Sequence, residues 1–431
     1  MIFNQRAKKI ITREAIGFFL VKVAGAALLF FLHLILVKLL GIKQYGIYVY
    51  AWNWMNILLV VSLLGFHVSL IRFIAEYNIK RQWGLLWGVL KRSQQFALGT
   101  SIFISIAGVT VFWIFSGQVS KSIEITFYIA FFALPVFTFI RLRESSLIAF
   151  KKVIRSGFLL QIIHPALTIF FVFILLFLIK EKLNAPYAMT ANFIAASLTA
   201  AAGAFFLSKF LPDKIYKNGF RFHNKKWIKV SLPLLLVAVT HIVSKRVDII
   251  ILGVLKGFES AGIYAVVSNI SNLVIFACFA VNVVLAPLVS ELYYTGQKKD
   301  LQNISKFAAR VIFVFTLITG LVLIILGKFV LGLFGLAFVA AYQPLLIVLC
   351  GQIIISLIGP VGLIMSMGGK QNMMGLIMSV SVAVSILLNI VLIPLFGLNG
   401  AAISTVVTML GWNLAMLFYV QNKVGINPTI I

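Results

Sequence analysis

Long, uninterrupted apolar runs limit what this sequence can fold into more than any other feature. About twelve such runs, bounded by charged or turn residues, follow one another along the 431-residue chain. A helix of about 20 apolar residues spans the hydrocarbon core of a bilayer, whereas transmembrane β-strands alternate in character over about ten residues. The sequence therefore predicts an all-α polytopic membrane protein with about 12 transmembrane helices. The runs lie at 15–38, 46–70, 94–117, 123–141, 157–179, 186–208, 230–254, 262–286, 308–330, 339–364, 373–395 and 399–421.

The low content of charged residues supports the same class. Charged residues form 11% of the chain, against roughly 25% in soluble domains, so a cytosolic enzyme, a secreted domain and a disordered scaffold are excluded. The net charge of +27 would suit nucleic acid only on a water-facing surface. Because little of this chain is expected to face water, we expect no nucleic-acid partner. The basic loops are instead expected to rest on anionic membrane lipids.

The distribution of positive charge predicts the orientation in the membrane. Most of the 37 Lys and Arg residues fall on alternate connections between the spans, which identifies those connections as cytoplasmic. Both termini are then cytoplasmic, in agreement with an even number of spans. A basic N-terminal segment leads into an apolar run of full length, so the first helix is predicted to remain uncleaved. Two amphipathic segments, 71–93 and 286–306, are predicted to form interfacial helices on the cytoplasmic side.

The sequence repeats itself at an interval of 216 residues. Six positions are identical between the two copies: Gly41, Gly46, Ile47, Tyr48, Asn53 and Asn56 match Gly257, Gly262, Ile263, Tyr264, Asn269 and Asn272. Six spans in each half give both halves the same orientation, as in transporters built from parallel repeats. We therefore expect two pseudo-symmetric six-helix bundles, residues 1–208 and 230–431, joined by a basic cytoplasmic linker at 209–229.

Ionisable residues inside the seventh span are the first candidates for function. His241, Lys245 and Asp248 lie on one helical face, with Arg246 about 100° away. Each charge at mid-membrane costs about 2.5–3.5 kcal/mol, so these side chains should face water or protein. One interpretation is a cationic patch in a central cavity that contacts an anionic substrate. The other is a structural Lys245–Asp248 ion pair, with Arg246 extending its charge to the interface.

Other candidates are distributed over the first, second and eighth spans. Lys22 either lines the cavity or extends to the interface. Asn53 and its repeat partner Asn269 either hydrogen-bond neighbouring helices or contact substrate. The five histidines are scattered, and the two cysteines, Cys278 and Cys350, lie inside apolar runs far from any residue that could share a metal with them. We therefore expect no metal, no cofactor and no disulfide.

Two segments resemble a known family of membrane proteins. Residues 39–77 are similar to the opening of bacterial polysaccharide-transport proteins, and residues 393–407 resemble a late turn of the same family. The matching positions are Leu40, Gly41, Tyr45, Gly46, Arg72 and Glu76, then Pro394, Gly397, Gly400 and Ala401. By this resemblance the chain is most similar to the Wzx-type O-antigen flippases of the multidrug/oligosaccharidyl-lipid/polysaccharide (MOP) flippase superfamily.

The resemblance implies a MATE-like fold and a non-enzymatic transport function in the bacterial inner (plasma) membrane. A protein of this type moves an undecaprenyl-pyrophosphate-linked oligosaccharide, an O-antigen or capsule repeat unit, between leaflets by alternating access. Its expected partners are this lipid-linked oligosaccharide, membrane lipids, a coupling H⁺ or Na⁺, and the polysaccharide polymerase machinery of lipopolysaccharide biosynthesis. Lys22, Lys245 and Arg246 would offset the charge of the pyrophosphate.

Two other functions stay open at the level of sequence. A cation-coupled MATE-type exporter of small amphipathic compounds would need a coupling carboxylate, for which Asp248 is the candidate. An integral-membrane glycosyltransferase or polymerase would need acidic residues in a large outer loop. That enzyme class ranks last, because the predicted outer loops are short and carry few carboxylates.

Overall fold

The chain folds into helices throughout its described length. The computed structural model describes residues 5–115, 117, 119–179, 182–212, 215 and 219–430, and these contain no strand. The expected linker at 209–229 falls partly outside the described residues. The helices are α1 (Gln5–Ser62), α2 (Phe66–Ile79), α3 (Trp83–Ile114), α4 (Lys121–Ala149), α5 (Val153–Ile179), α6 (Ala185–Ser208), α7 (Asn224–Tyr294), α8 (Lys298–Phe334), α9 (Tyr342–Ser356), α10 (Val361–Met367), α11 (Gln371–Phe396) and α12 (Leu398–Tyr419).

The helical segments have the length and surface of a membrane protein. In the described part of the chain, nine of them are long and apolar enough to cross a bilayer. Large apolar side chains cover the outside, and Phe103, Phe177 and Leu336 are 72%, 84% and 91% exposed. Such a surface is stable in lipid and not in water. The all-α polytopic class is confirmed, and the count of twelve spans stays a prediction.

Two glycines interrupt the longest helices in the same way. Gly41 breaks α1 with φ 73° and ψ 171°, and Gly257 breaks α7 with φ 85° and ψ 171°. These angles lie in a region that glycine alone adopts without strain. The two residues are the repeat partners found in the sequence, 216 positions apart. The repeat is therefore present in the backbone geometry as well as in the residue types.

A buried tyrosine after each glycine extends the correspondence. The Tyr48 hydroxyl accepts a hydrogen bond from Asn192 Nδ2 at 2.9 Å. Its repeat partner Tyr264 forms a hydrogen bond with Thr405 Oγ1 at 2.7 Å. Asn192 lies on α6 and Thr405 on α12, the last long helix of each half. In each half, a tyrosine hydrogen bond therefore joins the helical segment that follows the glycine to the last long helix.

Contacts between helices divide the chain into two compact units, Met1–Ile242 and Val243–Ile431. In the first unit α4 packs against α1, α2, α3 and α6, and Ser62 on α1 bonds Thr138 on α4 at 2.9 Å. In the second unit α12 packs against α9 and α11. The division into bundles 1–208 and 230–431 with a linker at 209–229 stays a prediction.

The two segments predicted as interfacial helices are each divided in the structure. Residues 71–93 hold the end of α2 and the first turns of α3, separated by a turn in which Arg81 has φ 54°. Residues 286–306 hold the end of α7 and the start of α8, with Gly296 at φ 73° between them. The amphipathic pattern does not show these breaks, because charged residues at the ends of two successive helices produce the same pattern as one interfacial helix.

The start of α7 packs against α2 within the first unit. Trp227 is fully buried, and its Nε1 donates a hydrogen bond to the Tyr77 hydroxyl at 3.0 Å. Nearby, Lys80 Nζ donates to Glu76 Oε1 at 2.8 Å, and this bond lowers the pKa of the Glu76 carboxyl. Lys226 lies 3.7 Å from the same carboxylate oxygen. These contacts fix the start of α7 relative to α2.

Candidate functional site in the second unit

A buried carboxylate forms the centre of the candidate site. Asp248 on α7 is 8% exposed, and both of its carboxylate oxygens accept hydrogen bonds from other helices. Asn389 Nδ2 on α11 donates to Oδ1 at 2.7 Å, and Thr405 Oγ1 on α12 donates to Oδ2 at 2.6 Å. A carboxylate inside a membrane domain is costly unless it is hydrogen-bonded, and it commonly marks an ion pathway.

Further oxygen atoms surround this carboxylate. Asn389 Nδ2 also contacts the Ser385 carbonyl oxygen at 2.8 Å and the Ser385 hydroxyl at 3.3 Å. The Tyr264 hydroxyl bonds Thr405, which lies 2.9 Å from the Ala401 carbonyl oxygen. The amide oxygen of Asn389 is buried and has no hydrogen-bond partner in the described part of the chain. A carboxylate beside such oxygens can hold a proton or a hard cation such as Na⁺, which prefers oxygen ligands.

The local sequence explains why side chains of α11 and α12 lie close together beside Asp248. Gly397, at φ 57°, reverses the chain directly between the two helices. A side chain on Gly400 would collide with the Leu392 carbonyl oxygen, so glycine allows the two backbones to approach closely. Ser404 on α12 then reaches the Ser385 carbonyl oxygen at 3.3 Å. This tight helical hairpin places Asn389 and Thr405 side by side against Asp248.

The site exists in one half of the repeat and not in the other. The residue 216 positions before Asp248 is Leu32, which is buried and 3% exposed. The tyrosine contact is common to both halves, since Tyr48 and Tyr264 occupy equivalent positions. The carboxylate is therefore an addition to a shared framework, which points to function more than to folding.

The other candidates of the seventh span have different surroundings. His241, in the first unit, and Lys245, in the second, are exposed, and Arg246 is half-buried. One of the two interpretations of the helical spacing paired Lys245 with Asp248, whereas the carboxylate accepts hydrogen bonds from Asn389 and Thr405. The spacing considers one helix only, and the donors that reach the carboxylate come from two others. The role of all four residues in binding stays a prediction.

Lys22 lies in a charged neighbourhood of the first unit. It is half-buried, with its Nζ 5.6 Å from the centre of the Phe18 ring. Glu144 and Arg141 on α4 act on it electrostatically, and these two residues form a salt bridge at 3.0 Å. Whether Lys22 contacts substrate stays a prediction.

The asparagines at equivalent positions differ in burial. Asn53 is 1% exposed and donates to the Val49 carbonyl oxygen of its own helix at 2.7 Å. Its amide oxygen is buried without a hydrogen-bond partner among the described residues. Asn269 is half-buried. Whether either residue contacts substrate stays a prediction.

Sequence reasoning missed the residues that complete the Asp248 site. Asn389, Thr405, Tyr264 and Ser385 sit in apolar runs and were not among the candidates. Asn389 gave the clearest signal, because a lone amide in the run SILLNIVLIP needs a buried partner. In the described part of the chain, no three His, Cys, Asp or Glu side chains form a group that could hold a metal ion.

Two comparisons by sequence match this chain to known proteins. A family model described as "Polysaccharide biosynthesis protein" matches residues 11–293. An uncharacterized membrane protein of Methanocaldococcus jannaschii is 22% identical over 430 residues, covering 94% of this chain and 82% of the relative.

Solved structures show the fold. A multidrug resistance MATE family transporter of the MOP superfamily, in an inward-facing conformation, is similar with a TM-score of 0.78 at 13% identity, covering 94% of this chain and 98% of that one. A MOP superfamily transporter from Pyrococcus furiosus, described as having a binding pocket of reverse polarity, has a TM-score of 0.67 at 14% identity, covering 97% and 96%. The MATE-like fold is thereby confirmed.

Proposed function

This chain belongs to the polysaccharide biosynthesis protein family, and from that premise we propose that it is an ion-coupled flippase for a polyprenyl-pyrophosphate-linked oligosaccharide. The substrate class is an undecaprenyl-pyrophosphate-linked O-antigen or capsule repeat unit, moved across the bacterial inner membrane by alternating access. Both termini are proposed to be cytoplasmic. The protein performs no covalent chemistry on its substrate and delivers it to the polysaccharide polymerase machinery on the outer side.

The Asp248 site is the observation that carries the ion-coupled part of the proposal, and the family match carries the substrate class. A carboxylate on α7 that is 8% exposed and accepts hydrogen bonds from two other helices, α11 and α12, links the positions of these three helices to occupancy by a cation. Binding or release of H⁺ or Na⁺ changes the charge of this cluster and so favours one arrangement of α7, α11 and α12 over another. In this way the binding of the ion is coupled to the conformational change of alternating access.

The intramembrane cations supply the complementary charge for the substrate. Lys22, Lys245 and Arg246 lie within predicted spans, and a pyrophosphate carries charge that lipid cannot solvate. We propose that these side chains offset that charge, with His241, Asn53 and Asn269 contacting sugar hydroxyls. The polyprenyl chain stays in the surrounding lipid.

Replacing Lys245 and Arg246 together with alanine tests the substrate site. The variant should abolish surface polysaccharide in a strain that lacks the native gene, while the amount of protein in the membrane stays normal. Lipid-linked oligosaccharide should accumulate at the inner leaflet. A matched control is Lys298→Ala with Lys299→Ala, an adjacent exposed pair at the start of α8. Normal surface polysaccharide in the Lys245/Arg246 variant would contradict the proposed site.

A cation-coupled exporter of small amphipathic compounds is the second candidate function. The Asp248 site favours it equally, because ion coupling is common to both functions, and one similar fold is that of a multidrug resistance transporter. An exporter would raise drug resistance on overexpression, and deletion would leave surface polysaccharide unchanged. The flippase predicts the opposite result in both assays.

A further inference from the structure

A basic cavity in the first unit shares no residue with the Asp248 site. It encloses about 380 Å³, within the range of small-ligand pockets. Helices α3, α4 and α6 form its walls, and Phe220 from the segment before α7 completes it. Its lining includes the cations Lys91 and Arg143, and no carboxylate among the described residues.

Neutral groups contact both cations of this cavity. Lys91 Nζ lies 3.9 Å from the centre of the Phe220 ring, and the Arg143 guanidinium lies 4.4 Å from the Phe139 ring. The amide oxygen of Gln94, turned toward Arg143, accepts from Nη1 at 3.0 Å. Such contacts hold a cation in a defined position. Two positioned cations therefore belong to the lining of the cavity.

The aromatic side of this cavity is formed by Phe220 and Trp87, which stack on each other. Phe220 stacks on Trp87 with ring centres 5.6 Å apart, and Phe222 stacks on Phe220 at 6.0 Å. The segment is fastened to α3 by a hydrogen bond from Arg221 N to the Gly84 carbonyl oxygen at 3.0 Å. A side chain on Gly88 would collide with the Arg221 carbonyl oxygen, so glycine is required for this approach. Ring stacking and a backbone hydrogen bond therefore hold Phe220 in position.

The remaining lining is apolar and belongs to helices predicted to span the membrane. Leu90, Ala204 and Leu207 belong to this apolar part of the lining, which also includes Lys91 and Arg143. A ligand that matches both the basic and the apolar part of this lining carries a phosphate group at one end and a hydrocarbon chain at the other. The orientation predicted from the Lys and Arg distribution places the cavity at the cytoplasmic leaflet, where anionic lipids concentrate.

We propose that this cavity binds the phosphate head group of an anionic membrane lipid. Lys91 and Arg143 contact the phosphate, the Phe220 ring flanks the head group, and the apolar wall receives the start of the acyl chains. The site is separate from the Asp248 cluster and does not depend on the proposed transport function. A soluble phosphate shares the head-group chemistry but makes no use of the apolar wall.

Native mass spectrometry of the purified protein in detergent tests the proposal. Phosphatidylglycerol and phosphatidylcholine are titrated separately against wild type and against Lys91→Gln with Arg143→Gln. Wild type should bind phosphatidylglycerol more tightly than phosphatidylcholine, and the double variant should lose about 30-fold in affinity for the anionic lipid. Lys80→Gln with Arg81→Gln removes the same charge from an exposed turn outside the cavity and should bind like wild type.

Two further arms identify the ligand. Ser208→Leu narrows the cavity while keeping both cations, and should weaken lipid binding as well. Inorganic phosphate alone is titrated in parallel: binding of phosphate but not of phosphatidylglycerol would overturn the lipid as its source. Equal losses in the Lys91/Arg143 and Lys80/Arg81 variants, or no loss in either, would overturn the cavity as a site.

Discussion

The hydrogen bond between Thr405 and Asp248 provides a quantitative test of the candidate site. Thr405 Oγ1 lies 2.6 Å from Asp248 Oδ2, and hydrogen bonds to charged groups contribute about 1.5–3 kcal/mol to stability. Thr405→Val keeps the shape of the side chain and removes the donor. We expect the free energy of unfolding to fall by about 2 kcal/mol when Asp248 is ionised.

Thr405→Val in an Asp248→Asn background measures how much the charge on Asp248 adds to the strength of this hydrogen bond. A hydrogen bond between neutral groups contributes about 1 kcal/mol, so Thr405→Val should cost about half as much there. The resulting coupling energy of about 1 kcal/mol exceeds the roughly 0.3–0.5 kcal/mol by which independent substitutions deviate from additivity. Equilibrium unfolding in mixed micelles, followed by helical circular dichroism, measures all four proteins.

A threonine on the same helix serves as the control. Thr408 is 8% exposed, and its hydroxyl has no hydrogen-bond partner in the described part of the chain. Thr408→Val should therefore leave the free energy of unfolding unchanged or raise it. A coupling energy near zero between positions 405 and 248 would refute the assignment of an ionised, hydrogen-bonded carboxylate to this site.

Two further predictions concern the framework. Tyr77→Phe leaves the fully buried Trp227 Nε1 without its acceptor at 3.0 Å, and should lower the free energy of unfolding by about 1–3 kcal/mol; an unchanged unfolding curve would show that this bond does not hold the start of α7. Gly41→Ala and Gly257→Ala should each cost about 1–3 kcal/mol through backbone strain alone, because nothing lies within 4 Å of either added methyl. Unequal costs, measured by the same unfolding assay, would contradict the equivalence of the two turns.

The features that sequence predicts well are those fixed by local chemistry. Continuous hydropathy identifies membrane helices because lipid leaves the backbone few alternatives. The repeat was recognisable because a turn at φ 73° and φ 85° requires glycine at Gly41 and Gly257. Helix boundaries were harder to predict, since the amphipathic pattern runs through the turns at Arg81 and Gly296.

The candidate site could be predicted only in part. Asp248 was identifiable because a lone carboxylate inside an apolar run is conspicuous. Its partners were not, because Asn389 and Thr405 lie 141 and 157 residues further along the chain. Periodicity reports neighbours on one helix and pointed to Lys245. The true contacts depend on the hairpin at Gly397 and Gly400, which brings two other helices to the carboxylate.

Gradient-driven transport with Asp248→Asn tests the central claim most directly. Wild-type protein and the variant are reconstituted in liposomes with a polyprenyl-pyrophosphate-linked oligosaccharide, and a lectin outside reports the sugar that reaches the outer leaflet. We predict that an imposed H⁺ or Na⁺ gradient accelerates wild-type transport and has no effect on Asp248→Asn. Equal acceleration of both proteins by the gradient would contradict the account.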